Sequence, residues 1–172
     1  MKSGGKILIA SGVLSLGLII GGFLIPSEWE VSDNTVIHIN STILFAQLSD
    51  LRNWQKWNGW SQKFLPNQNP DCKNENECFY ADHQGTVSIF RKVEPEKIIM
   101  KFDFPAGFNF TAVLYLNAEN AQTCRFTWKN FGETGFNFAA RYYMMGVQIM
   151  MKDELHRTLS EMKQHFEDGF KK

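Results

Sequence analysis

The chain has 172 residues, of which 44% are hydrophobic and 14% aromatic, which is enough for a packed core and too apolar for a disordered chain. Lysine plus arginine and aspartate plus glutamate each number 18, so the formal net charge is zero and offers no basic field to nucleic acid. These values suit one domain with an appendage, and we expect no nucleic-acid partner.

The first predicted element is an apolar helix over residues 7–25, with no charge between Lys6 and Glu28. At about 1.5 Å per residue, this run nearly covers a hydrocarbon core of roughly 30 Å. It predicts that residues 1–28 form a cytoplasmic tip and a single transmembrane anchor. The alternative is a cleaved signal peptide, but the run is longer than a usual hydrophobic region and lacks a small-x-small cleavage site.

Charge asymmetry predicts the orientation of this anchor. Lys2 and Lys6 precede it and acidic residues follow it, so the positive-inside rule leaves the N-terminus in the cytoplasm. The domain of residues 29–172 then lies outside the cytoplasm, in the periplasm if the organism is bacterial. Trp29, just past the anchor, has the position of an interfacial aromatic residue. We therefore expect a single-pass membrane protein.

A strand and two short helices follow. Residues 29–40 alternate between polar and apolar side chains, which is typical of a strand. Asn40 or Ser41 can cap a first helix, and Ser49 or Asp50 can cap a second.

The second short helix carries Trp54 and Trp57, and their spacing of three places both indoles on one face, where we expect them to pack in the core. Residues 61–78 are polar and indicate an exposed loop or a ragged strand. Within them, Cys72 and Cys78 are candidates for a disulfide in an oxidising compartment. A zinc site is disfavoured because a second cysteine or histidine pair is missing from the sequence nearby.

Alternating patterns then predict antiparallel strands over residues 85–93, 98–104, 108–116 and 124–129. The final segment, residues 137–168, changes to helical spacing with one apolar stripe. Because the sheet has one apolar face and the helix one apolar stripe, burying them together predicts an α+β fold with a sheet packed on a long C-terminal helix.

The order of these elements resembles the SRPBCC or START-related helix-grip superfamily, in its polyketide cyclase/dehydrase-like branch. The resemblance covers residues 30–166 and lies in Asp50-Leu-x-x-Trp54-x-x-Trp57, in Gly85-x-Val87, and in Glu154-Leu155-x-x-x-Leu159-x-x-Met162-Lys163-x-x-Phe166. Members curve an antiparallel sheet around the long helix and leave a cavity between the two, which usually holds apolar molecules. Some members are enzymes and others only bind, so the resemblance implies a cavity and not a reaction.

The predicted lining of this cavity consists of apolar residues of the strands and the last helix, namely Phe102, Phe104, Phe110, Leu114, Phe126, Trp128, Met144 and Met151. Five of the seven methionines lie on the last helix, and their flexible thioethers favour a methionine-rich pocket wall over variable ligands. Ordinary core packing is the competing interpretation for each of these residues.

The leading hypothesis is a membrane-anchored domain that binds an apolar, lipid-like small molecule, with no cofactor and no metal. Its first alternative is an enzyme of the cyclase, dehydrase or hydrolase type. A buried His38 or His83 that faces a pocket and is hydrogen-bonded to a carboxylate would favour this alternative, although the sequence contains no recognisable catalytic constellation. The second alternative is a protein-interaction domain with no occupied cavity.

Overall fold

The structure, a computed structural model, describes residues 3–57, 71–80, 85–104 and 109–169. The helices are α1 (Ser3–Leu24), α2 (Ser41–Leu48), a 3₁₀ helix (Leu51–Lys56) and α3 (Phe138–Gly169). The strands are β1 (Glu28–Ile37), β2 (Asp71–Asn74), β3 (Glu77–Tyr80), β4 (Gly85–Val93), β5 (Lys97–Asp103), β6 (Asn109–Asn120) and β7 (Thr123–Glu133). The predicted order of a strand, two short helices, further strands and a long helix is confirmed.

One antiparallel sheet of seven strands forms the body of the domain, in the order β1-β7-β6-β5-β4-β3-β2. The first strand therefore pairs with the last, from Glu28 opposite Glu133 to Ile37 opposite Cys124. Register shifts in the β4–β5 and β6–β7 pairs are of the kind that increases the twist and bending of a sheet. The polar segment before β4, predicted as a loop or ragged strand, supplies the hairpin of β2 and β3.

The long helix α3 covers one face of the sheet, which confirms the α+β helix-grip architecture. Its buried apolar positions run from Met144 to Phe166, and β5 and β7 bury every second residue along most of their length. The fully buried side chains at the centre include Ile98, Met100, Leu114, Leu116, Phe126, Leu159 and Met162. Alternation along the strands and helical spacing along α3 thus meet in a single core.

The two tryptophans predicted to pack in the core close one end of it. The rings of Trp54 and Trp57 lie 4.9 Å apart, and Trp57 lies 6.2 Å from the ring of Phe166 near the end of α3. Trp54 also donates a hydrogen bond of 3.0 Å to the carbonyl of Leu48. Asp50 caps the 3₁₀ helix that carries Trp54 and ends just before Trp57, because its carboxylate accepts a hydrogen bond of 3.0 Å from the backbone NH of Arg52.

The predicted transmembrane anchor is not supported by the structure. The apolar segment does form a helix, α1. Across residues 3–57, 71–80, 85–104 and 109–169, however, no helix is long and apolar enough to cross a membrane.

The C-terminal end of α1 is held against the start of α3 by Arg141. This buried guanidinium donates hydrogen bonds of 3.1 Å and 2.9 Å to the carbonyls of Phe23 and Ile25, and it also bonds to the carbonyl of Gly135. Carbonyls at a helix C-terminus lack intrahelical partners and carry partial negative charge, so a cation is stabilising there. Arg141 therefore joins α1 to the domain.

The Asp50 cap generates a stability prediction. We expect Asp50→Ala to lower the free energy of unfolding by about 1 kcal/mol, because the first turn of the 3₁₀ helix loses its acceptor. Asp50→Asn keeps an acceptor and should cost only a few tenths of that amount. Urea unfolding of the two variants and the parent chain measures the difference, and equal losses in both variants would contradict the role of the cap.

The stability that the Asp50 cap contributes depends on pH, and the direction of this dependence follows from the pKa of Asp50. The hydrogen bond from the Arg52 side chain is the main cause that lowers the pKa of Asp50 below its ordinary 3.8. The stability that this carboxylate contributes is therefore present above pH 3.8 and is lost as the pH falls through the lowered pKa. The difference in the free energy of unfolding between the parent chain and Asp50→Ala should therefore become smaller at low pH.

Candidate ligand-binding site

Three of the predicted lining residues form one aromatic cluster. Phe102 and Phe110 are opposite each other in the β5–β6 register, and their rings stack at 4.6 Å with an interplanar angle of 5°. The ring of Phe104 lies 6.2 Å from that of Phe102 and 6.0 Å from that of Phe110. All three come from the end of β5 and the start of β6, so the cluster lies at one end of the sheet.

Trp29 extends this cluster, which corrects the interfacial position predicted for it. Its side chain is only 6% exposed, and its ring meets that of Phe110 edge-on at 5.9 Å. Trp29 is opposite Gly132 in the β1–β7 register, and a Cβ at Gly132 would lie 2.7 Å from the indole. The absence of a side chain at Gly132 thus makes room for the indole inside the domain.

The N-terminal half of α3 also contributes apolar residues to the core. Met144 is buried, and Val147 and Met151 are partly buried against the core. Met145 and Met150 are exposed, so the methionine-rich wall predicted over the helix is wrong for these two. Met162 is buried, but in the C-terminal half of the helix.

The remaining predicted lining residues lie in the packed centre of the domain. Leu114 and Phe126 are fully buried. Trp128 packs edge-on against Trp54 at 5.4 Å and donates a hydrogen bond of 2.8 Å to the side chain of Asn130. These three side chains therefore belong to the packed core.

We call the end of the core that holds Phe102, Phe104, Phe110 and Trp29 the phenylalanine end. It is also the end at which α1 finishes and α3 begins, because Thr134 donates a hydrogen bond of 2.8 Å to the carbonyl of Ser27 there. Residues 58–70, which include Trp60, residues 81–84, which include the candidate His83, and residues 105–108 lie outside the described part of the chain.

A groove of about 920 Å³ lies on the outer face of the sheet across β1, β7, β6 and β5, and Trp29 of the phenylalanine end is among its lining residues. Its lining includes Lys101, Tyr115 and Phe131, and the ion pair of Lys129 with Glu30, 2.6 Å apart, lies within it. Of the predicted cavity residues, Phe110 contributes to this groove. Because the groove is open and carries charges of both signs, it does not offer the apolar enclosure expected of the predicted cavity.

The described histidines do not form a catalytic arrangement with this site. His38, a candidate for an inward-facing base, is exposed. His156 is exposed and lies 2.9 Å from the carboxylate of Asp33 on the surface. His165 is also exposed, and within the described ranges no group of three acidic, histidine or cysteine residues is placed to hold a metal ion.

The cysteines separate into a bridged pair and a buried thiol. Cys72 and Cys78 are opposite each other in the β2–β3 hairpin and are joined by a disulfide of 2.06 Å. Cys124 is a free, buried thiol. Burial, with a smaller contribution from the charge of Glu119, raises the pKa of Cys124 to about 11. A thiol in this state is not a nucleophile at neutral pH.

No protein-family model matches the sequence, and no curated protein is significantly similar to it. The structure is similar to that of a Staphylococcus aureus protein of unknown function, with a TM-score of 0.60 and 8% identity over 84% of this chain and 97% of the other.

The ZhuI aromatase/cyclase from a Streptomyces species matches with a TM-score of 0.52 and 10% identity over 80% of this chain and 94% of the other. The di-domain ARO/CYC protein BexL matches with a TM-score of 0.57 and 10% identity over 81% of this chain. This chain spans 46% of the length of BexL. At such identities the similarity shows a shared polyketide cyclase-like helix-grip fold.

The fit of Trp29 over Gly132 can be tested directly. Gly132→Ala should destabilise the domain by about 1–3 kcal/mol, because the new Cβ forces the indole out of its place. Gly146→Ala is the matched control: nothing lies within 4 Å of the new Cβ on α3, and removing a helical glycine should stabilise the domain by about 1 kcal/mol. Thermal unfolding and the near-ultraviolet circular dichroism of tryptophan measure both effects. A Gly132→Ala variant as stable as Gly146→Ala would rule out the close approach.

The raised pKa of Cys124 predicts slow alkylation. A shift from 9.0 to about 11 leaves the folded protein about 100-fold less thiolate than the unfolded chain near pH 8, before any steric protection. Iodoacetamide should therefore modify Cys124 rapidly in urea and at least 100-fold more slowly without it. Similar rates in the two conditions would show that the thiol is accessible.

Proposed function

We propose that the chain is a membrane-associated helix-grip domain that binds an apolar, lipid-like small molecule at the phenylalanine end of its core. The observation that carries the proposal is the stacked cluster of Phe102, Phe104 and Phe110, in a core against which Val147 and Met151 of α3 pack only partly buried. Stacked aromatic rings and flexible thioether side chains suit an apolar ligand of variable shape. The cyclase-like fold supports the use of this interior as a small-molecule site.

The two ends of the core differ in a way that favours this location. At the opposite end, Trp54, Trp57 and Phe166 make mutual ring contacts and are all buried. Among the apolar residues that pack only partly buried against the core, Phe104 belongs to the phenylalanine end, and Val147 and Met151 come from the N-terminal half of α3. A ligand entering there would complete the burial of existing apolar surface, which is the main source of affinity for an apolar molecule.

The membrane association is proposed from the surface of α1. Every residue from Ser11 to Ile20 is exposed, and the exposed side chains include Val13, Leu14, Leu16 and Ile20. A helix that is apolar on all sides is stable when a low-dielectric medium covers it on all sides. We propose that a lipid bilayer covers α1, and that the domain lies on the extracytoplasmic side of that membrane. The Cys72–Cys78 disulfide supports an oxidising compartment.

Photo-crosslinking tests the binding site in the full chain. A fatty acid bearing a diazirine is added to the chain in phospholipid vesicles, and the crosslinked peptides are identified by mass spectrometry. We expect saturable labelling of β5 and β6. Met151→Trp should lower the apparent affinity of this labelling by about ten-fold, or ~1.4 kcal/mol, because the larger ring takes up space against the core that the proposal assigns to the ligand.

Two controls make the result decisive. Lys163→Trp adds the same ring in the C-terminal half of α3, at another partly buried position, and should leave the labelling of β5 and β6 unchanged. Labelling of α1 reports partition of the probe into the bilayer and should be equal in all variants. Non-saturable labelling of β5 and β6, or equal labelling with Met151→Trp, would refute the site.

A further inference from the structure

The helix α3 is divided into an uncharged half and a charged half. Residues 142–151 contain no charged side chain, whereas charged residues are frequent from Lys152 to the end of the helix. We call residues 142–151 the uncharged half of α3. Arg141, the charged residue just before it, is buried and bonded to backbone carbonyls. The exposed surface of this half therefore presents no formal charge to its surroundings.

This surface is also strongly apolar. Tyr143, Met145, Ile149 and Met150 are exposed on it, with Ile149 at 68% and Met150 at 72%. Phe136, just before α3, is 90% exposed. In water, apolar side chains of this size on one continuous face indicate a surface that another molecule covers. The core does not explain them, because the core-facing positions of this half are Met144, Val147 and Met151.

The uncharged half is continuous with α1. The hydroxyl of Tyr142 donates a hydrogen bond of 2.9 Å to the carbonyl of Leu18. A Cβ at Gly22 would lie 2.7 Å from Phe138, so this glycine permits the two helices to approach closely. The exposed apolar residues of α1 and those of α3 thus belong to one surface, joined at residues 18–25 and 138–142.

We propose that the uncharged half of α3 contacts the lipid bilayer together with α1, and that this contact turns the phenylalanine end of the core toward the membrane. The inference rests on the proposed attachment through α1. A second copy of the chain is a less suitable occupant, because a protein partner covers one stripe of a helix, whereas α1 is exposed on all sides from Ser11 to Ile20. Aromatic tyrosines beside aliphatic residues are also typical of a lipid interface.

The charge boundary at Lys152 sets the depth of this contact. Lys152 and Asp153 are both exposed, and a bilayer strongly disfavours charged side chains in its hydrocarbon region. The membrane surface therefore lies near the middle of α3. Met144 and Met151 come from the helix half next to the bilayer, and the phenylalanine end is the end of the sheet near α1. A lipid-like ligand would then enter the core from the bilayer without crossing bulk water.

Spin labels test the contact in the full chain, reconstituted in vesicles of phosphatidylcholine and phosphatidylglycerol. Met150→Cys and Asp153→Cys form a matched pair, because both positions are exposed and three residues apart on one helix. Leu14→Cys reports on α1. For each label, electron paramagnetic resonance measures collisions with oxygen, which concentrates in lipid, and with a nickel chelate, which stays in water. We expect the oxygen-to-nickel ratio at position 150 to be several-fold higher than at 153 and close to that at position 14.

The other outcomes separate the inference from its premise. A water-like ratio at position 150 with a lipid-like ratio at 14 would overturn the contact of α3 and leave the attachment through α1 intact. Water-like ratios at both positions would overturn both. Spin–spin broadening at position 150, with low collision rates for both reagents, would assign the surface to a second copy and would also overturn the lipid contact.

Discussion

A single helix must bury the apolar face of a seven-stranded sheet, and the rest of the structure follows from that constraint. A helix with side chains is about 10 Å wide and α3, with 32 residues, is about 48 Å long, whereas seven strands at ~4.8 Å spacing span about 29 Å. The helix therefore covers the length of the sheet but not its width. Curvature of the sheet and large side chains must bury the remainder.

The two ends of the sheet differ in how the apolar surface that α3 does not cover is buried. At one end Trp54, on the 3₁₀ helix, and Trp57, just after it, contact each other and close the core. At the other end the strands supply Phe102, Phe104, Phe110 and Trp29, and the helix supplies residues that stay partly buried. This asymmetry, rather than any catalytic group, is the feature that favours binding of an apolar molecule. The phenylalanine end lies next to α1, because α1 leads directly into β1.

Local patterns in the sequence predicted much of this fold. The Asp50 cap and the spacing of Trp54 and Trp57 involve neighbours along the chain, so they were predictable without tertiary contacts. The burial of Trp29 was not predictable in this way, because it depends on Gly132, which is more than a hundred residues away along the chain. The predicted methionine-rich wall was wrong in part for another reason. Met144–Met145 and Met150–Met151 are adjacent pairs, and successive residues of a helix point about 100° apart. One member of each pair must therefore leave the core, which composition alone does not reveal.

Native mass spectrometry of the full chain, gently extracted from membranes, tests the central claim most directly. The account predicts that the protein carries a co-purifying apolar molecule, seen as a discrete added mass that disappears on denaturation and is reduced in Met151→Trp but not in Lys163→Trp. A chain that shows only its own mass, and that acquires no added mass when incubated with long-chain fatty acids or phospholipids, would contradict it.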